Sequence, residues 1–130
     1  MSSNKPSERT SSSSRLAACV VLCARNGDGV SVAEAQTVRE FLNGADCDGW
    51  WFVPPGTFIA VFLAEAAGAN RASACESKLR DLTQSWPEPL AMGRADGELV
   101  CSFTEAGAFA QMPMGIAINA AMAEAVKDAT

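Results

Sequence analysis

Histidine is absent from these 130 residues, which removes the commonest general base and metal ligand together. Without it no Ser-His or Cys-His nucleophile pair can form. With no Cys-x-x-Cys pair either, a structural zinc site is not expected. Phosphate-cradling loops of the GxxxxGK[ST] or GxGxxG type are also missing. No run of 18 or more apolar residues occurs, so membrane insertion is not expected. The polar start lacks the apolar central segment of a secretory signal. Positive charge is scarce, with 10 Lys and Arg against 15 Asp and Glu for a net charge of -5. No basic cluster lies beyond the first residues, and phosphate binding needs a positive surface, so nucleic acid is not an expected partner. The cytoplasm is the expected compartment. A Ser-rich, mostly basic start would suit an organellar presequence, but Glu8 and the lack of an amphipathic pattern count against import.

What is present fits one domain. Ser2 to Arg15, SSNKPSERTSSSSR, has no apolar residue and cannot offset the entropy of its own ordering. The pattern therefore predicts a disordered arm over residues 1–15 and an α/β domain over 16–130. Cys19, Cys23, Cys47, Cys75 and Cys101 are odd in number and mostly sit in apolar runs, as buried free thiols do. Cys19 and Cys23 would share one strand face about 13 Å apart, too far for a disulfide.

Leu16 to Ala24, LAACVVLCA, is a continuous apolar run, as expected of a strand covered on both faces. RNGDG at 25–29 predicts a loop. Ser31 with Glu34 forms a capping box, and apolar residues then recur at helical spacing up to Asn43-Gly44. GWWFV at 49–53 and TFIAVFL at 57–63, split by Pro54-Pro55-Gly56, predict a hairpin. A second helix is predicted from Ala64 to about Gln84, stopped by Trp86-Pro87-Glu88-Pro89. Leu90–Gly93 and Glu98–Thr104 then predict two short strands about an Asp96-Gly97 turn. A turn at 105–107 and an Ala-rich third helix from Gly115 to Ala129 complete the chain. The order β-α-β-β-α-β-β-α predicts an α+β fold: a ferredoxin-like β-α-β-β-α-β core with an extra strand and a C-terminal helix, its first two helices on one sheet face. That fold by itself names no chemistry.

Asp46 and Asp48 in ADCDG could give two metal oxygens, but a hard cation needs more converging ligands, so a solvated loop is expected. Asp28 is expected to serve its turn. Trp50 and Trp51, consecutive on a strand, must face opposite sides, the outward one lying under a helix or in an interface. Met112, Met114 and Met122 are expected as core filler.

Three segments together resemble the catalytic domain of class III adenylate and guanylate cyclases. GTFIAVFLAEAAGANRASACESKL (56–79) is similar to the family's turn, Ala-Val-Phe strand and Ala-spaced helix. GRADGELVCSF (93–103) is similar to its short strand, Gly-Glu turn and following strand. MPMGIAINAAMAEA (112–125) resembles the segment Gly-x-x-Val-Asn-x-Ala-x-Arg that opens a helix. The resemblance implies a nucleotide-cyclase-like domain that pairs about a two-fold axis with the active site between protomers. The family uses two carboxylates holding two divalent metals, an asparagine that orients the ribose and an arginine one turn on.

Here the first acid position falls on Ala24 or Arg25 and the second on Gly56. Asn119 matches the asparagine, the arginine position falls on Ala123, and Ile116 stands where the family often has an acid. Losing several cooperating groups should abolish turnover. What the resemblance leaves is a vestigial nucleotide pocket with candidates Gly56, Thr57, Gly115 and Asn119, no catalytic residue, and no resident metal or cofactor. The leading expectation is a non-catalytic cyclase-like pseudoenzyme acting through protein contacts with itself or another cyclase-like subunit. One alternative is an active minimal cyclase, a phosphorus-oxygen lyase with Mg or Mn, using Asp28 or Asp48 to make a cyclic nucleotide from ATP or GTP. The other is an unrelated ferredoxin-like small-ligand or regulatory module, favoured if the third helix packs elsewhere than beside the 49–63 hairpin.

Overall fold

The computed structural model describes residues 10–130. It is an α+β fold whose five strands form one antiparallel sheet in the order β2-β3-β1-β4-β5. The strands are β1 (Thr10–Cys23), β2 (Gly49–Val53), β3 (Thr57–Leu63), β4 (Ala91–Thr104) and β5 (Met114–Gly115), and the helices are α1 (Val32–Gly44), α2 (Gly68–Thr83) and α3 (Ile116–Ala129). A 3₁₀ turn at Ala64–Ala66 leads into α2.

The first helix begins where local chemistry directs. Ser31 accepts from the Glu34 backbone N–H while the Glu34 carboxylate accepts from the Ser31 N–H, the reciprocal box the spacing predicts. The hairpin has the predicted bounds, Val53 pairing with Thr57 across Pro54-Pro55-Gly56.

The apolar run in β1 is sandwiched. Ala18, Val20 and Leu22 join Phe58, Ala60 and Phe62 of β3 under α1 and α2, through Val38, Leu42, Ala72, Cys75 and Leu79. Ala17, Cys19 and Val21 join Ile59, Val61, Leu99 and Cys101 under α3, through Ala117, Ile118, Ala121 and Ala125. Successive strand residues face opposite sides, so a strand with a helix layer on each face must be apolar throughout.

Two expectations are corrected. Residues 90–104 form no hairpin: β4 is one strand, paired with β1 from Thr10↔Thr104 to Cys23↔Ala91. Its glycines make room for α3 instead of a turn. A side chain at Gly93 would overlap the backbone of Ala121 and Ala125, and one at Gly97 would stand 2.9 Å from Ile116 Cγ2. The extra strand is therefore the two-residue β5, paired with Leu99 and Val100. Second, the expected arm over 1–15 is ordered from Thr10, where β1 begins; residues 1–9 lie outside the described residues. Backbone pairing needs no apolar side chain, and the long β4 supplies ladder partners as far as Thr104. Ser12 and Ser102 hydroxyls add a cross-strand hydrogen bond at 3.1 Å.

Candidate functional site

The loop after β1 closes directly on the hairpin turn. Ala24 N donates to Gly56 O at 2.9 Å and Val30 N to Pro55 O at 3.3 Å. Gly29 has φ of +82°, and a Cβ on Gly56 would lie 2.9 Å from both Ala24 Cβ and Gly29 Cα. Ala24 and Gly56, the two positions where the resemblance asks for metal acids, are thus neighbours, and backbone and a methyl group fill the space between them. Arg25 turns away toward α3, donating through Nε to Pro89 O and through Nη1 to Asp128 O, each at 2.7 Å. Asp28 is exposed in the loop. Its N–H donates to Asn26 Oδ1 at 2.8 Å, so Asn26 makes the turn that was expected of Asp28.

The four pocket candidates fall into two groups. Gly56 and Thr57 sit at one end of the sheet, Thr57 level with Cys23 and through it with Ala91. Gly115 is level with Leu99, eight residues further along β4 or about 26 Å at the usual strand rise. Asn119 is exposed on α3 one turn beyond Gly115. Within one chain the two groups are not brought together.

Asp46 and Asp48 lie exposed on the α1–β2 loop, as expected, but Asp48 and the Asp46 backbone are also held in place. Asp48 accepts from Leu63 N at 2.7 Å and from Arg71 Nη2 at 2.8 Å, while Arg71 Nη1 donates to Asp46 O at 2.5 Å. Arg71 also lies over the Phe62 ring, 5.5 Å from its centre. One cation therefore ties the α1–β2 loop and the end of β3 to α2. Beside it, a cavity of about 360 Å³ opens between α1 and α2, lined by Phe41, Phe62, Arg71, Cys75 and Lys78 among others.

A second charged network closes the edge of β4. Asp128 Oδ2 accepts from Met92 N at 2.9 Å and pairs with Arg80 at 3.4 Å and Arg25 at 3.6 Å. Glu76 holds Arg80 at 3.0 Å and Arg94 at 2.9 Å. The Met92 backbone hydrogen bond, with smaller help from Arg80 and Arg25, holds the Asp128 carboxyl below its ordinary 3.8. These side chains border an open cleft of about 370 Å³, but their charges are spent on one another. Their work is to fasten α3 to α2 and to occupy the outward backbone of β4.

All five thiols are free. Burial pushes Cys19 and Cys75 up to about 12 and raises Cys23, Cys47 and Cys101 as well. Nucleophilic thiolates need the opposite shift. Among the described residues no group of three or more Cys, Asp or Glu is placed to hold a metal ion.

The sheet also carries apolar surface that no helix covers among the described residues. Leu16, Val100 and Met114 are 60%, 58% and 61% exposed. Leu16 alternates with Ala18 and Val20, Val100 pairs with Ser14, and Met114 pairs with Val100, so all three lie on the α1/α2 face beyond the ends of those helices. Met114 is thus surface and not core filler, whereas Met112 and Met122 do pack inside. On the opposite face the 105–113 segment folds back, with Ala110 N donating to Ser102 O at 2.8 Å. Phe109 there stacks on Phe103 at 4.9 Å and meets Trp51 edge-on at 5.3 Å. The outward tryptophan is therefore covered by a loop aromatic, while Trp50 packs on the other face and donates to Asn43 at 3.2 Å.

Sequence reasoning missed the roles of Arg71, Arg25 and Asp128. Arg71 reaches Asp48 across 23 residues and Arg25 reaches the Asp128 backbone across 103, and no local pattern signals such pairing. No protein-family model matches the chain, and neither a curated protein nor a solved structure matches it.

Proposed function

We propose that this chain is a non-catalytic domain that works through protein contacts, a nucleotide-cyclase-like fold emptied of its metal site. The observation that carries the contact reading is the uncovered apolar face of Leu16, Val100 and Met114, the kind of surface that marks a partner site. The sheet order β2-β3-β1-β4, with α1 and α2 on one face, supports the ferredoxin-like part of the reading. The adjacency of Ala24 and Gly56 is consistent with a former two-acid site whose carboxylates are gone. Asp48 is held by Arg71 and is a poor substitute ligand. The separation of Gly56 and Thr57 from Gly115 and Asn119 accords with a pocket shared between two copies.

A specific observation favours a second reading, that of an unrelated ferredoxin-like small-ligand or regulatory module. α3 lies mainly against β4 and β1, with its backbone on Gly93, and reaches the 49–63 hairpin less, through Ile59 and Val61. Both readings leave the chain without cyclase activity; the second differs in ancestry and in binding a small ligand or regulating a partner. Isothermal titration of the full chain with ATP and with GTP in the presence of Mn2+ tests the common claim. The expected result is no binding heat and no cyclic nucleotide. Tight metal-dependent binding with cyclic nucleotide formation would overturn it.

A further inference from the structure

We infer that the outer edge of β2 docks a second copy of this chain, strand to strand, joining two five-stranded sheets through an antiparallel β2–β2 pair. The inference rests on the protein-contact reading and adds a second contact surface, at the other end of the sheet from Leu16, Val100 and Met114, together with its partner. Among the described residues β2 is the terminal strand of the sheet, and the backbone N–H and C=O groups on its outer side have no ladder partner there. Edges that are kept from pairing usually carry a charge, a proline or a bulge. Gly49–Val53 reads GWWFV, without charge or proline, and its register against β3 is unbroken.

The contrast with β4 sharpens the point. The outward backbone of β4 at Met92 is taken by Asp128 and Arg80, and the strand continues through charged Arg94, Asp96 and Glu98 to β5. One edge of the sheet is defended by charge, while the other is apolar and open.

The second copy is chosen because a strand that pairs with itself about a two-fold axis must be complementary to itself, and β2 is. With the axis at Trp51, Trp50 of one copy stands opposite Phe52 of the other, Gly49 opposite Val53, and Trp51 opposite its own counterpart. No like charges meet, and cross-strand aromatic pairs are favourable. Trp50 and Phe52 share the α1 face, where Phe52 already leans on Phe58 at 4.7 Å. Phe52 and Val53 are 37% and 41% exposed, leaving side-chain surface to bury along with the backbone. A five-residue edge is smaller than a standard interface, so association is weak and rises with concentration.

Sedimentation velocity of the full chain across a dilution series, repeated for Val53→Asp and Val126→Glu, tests this. Wild type is expected to self-associate. Val53→Asp sets a carboxylate opposite Gly49 and beside Asp48 of the other copy, and is expected to weaken association about tenfold or more. Val126→Glu, at a half-exposed position on α3, is expected to leave it unchanged. Association that survives Val53→Asp, or that Val126→Glu abolishes, overturns the β2 edge. A wild type that stays monomeric overturns the second copy, while the protein-contact reading still stands or falls by its nucleotide titration. Tryptophan emission of the wild type serves even if Val53→Asp fails to fold. It should shift to the blue as the protein associates, and association with unchanged emission overturns the proposal.

Discussion

From Ala17 to Leu22, β1 is buried under α1 and α2 on one face and α3 on the other. From Ser11 to Leu16 the same strand, paired with the same partner, is mostly open to solvent. The ladder is continuous from Thr10 to Cys23, so hydrogen bonding does not distinguish the halves. Side-chain burial does. The inner half anchors the core, and the outer half extends a sheet face that no helix claims. Stability thus resides in one half, and the exposed Leu16, Val100 and Met114 are available for contact in the other.

The largest effect on this contrast is expected from Gly93→Val. The α3 backbone lies directly on Gly93, and a branched side chain there would lift the helix from the sheet. A loss of about 3 kcal/mol is expected, read as a lowered urea midpoint with unchanged slope. A shift too small to measure would mean that α3 is not held at that distance.

An intermediate effect is expected at Asp128, which joins α3 to the inner end of β4. Its folded-state pKa lies below 3.8, so its stabilisation is present above that value and is lost as pH falls below it, toward the folded pKa. Denaturant unfolding followed down through this range should therefore show a decline in wild type that Asp128→Asn flattens. Parallel profiles for the two proteins would contradict the assignment.

The smallest effect is expected from Leu16→Ser in the open half. Leu16 is 60% exposed, and such a surface change should alter stability by no more than about 0.5 kcal/mol. A thermal midpoint well below that of wild type would show that something covers Leu16.

Much of the inner half was legible in the chain itself. The uninterrupted LAACVVLC run identified a strand with both faces buried, Ser31 and Glu34 marked the start of α1, and Pro54-Pro55-Gly56 marked the hairpin. Each is a signal within a few residues, where propensity and pattern act directly. The outer half was misread for the same reason. Thr10 to Arg15 lacks apolar residues and is ordered by a partner some ninety residues away, and Asp96-Gly97 has the chemistry of a turn but lies in a straight strand where α3 needs the space. The site was legible only as residue types. The missing acids at Ala24 and Gly56 could be read from a resemblance, but their adjacency could not.

The sequence by itself determined the alternation of strands and helices, the double burial of β1 and the absence of histidine chemistry, because these depend on composition and short-range periodicity. Tertiary structure alone decided that β4 runs unbroken, that Arg71 and Asp128 serve as clamps, and that one sheet edge is closed by charge while the other is open. Those outcomes depend on which distant groups meet, and chain order does not encode the distances between them.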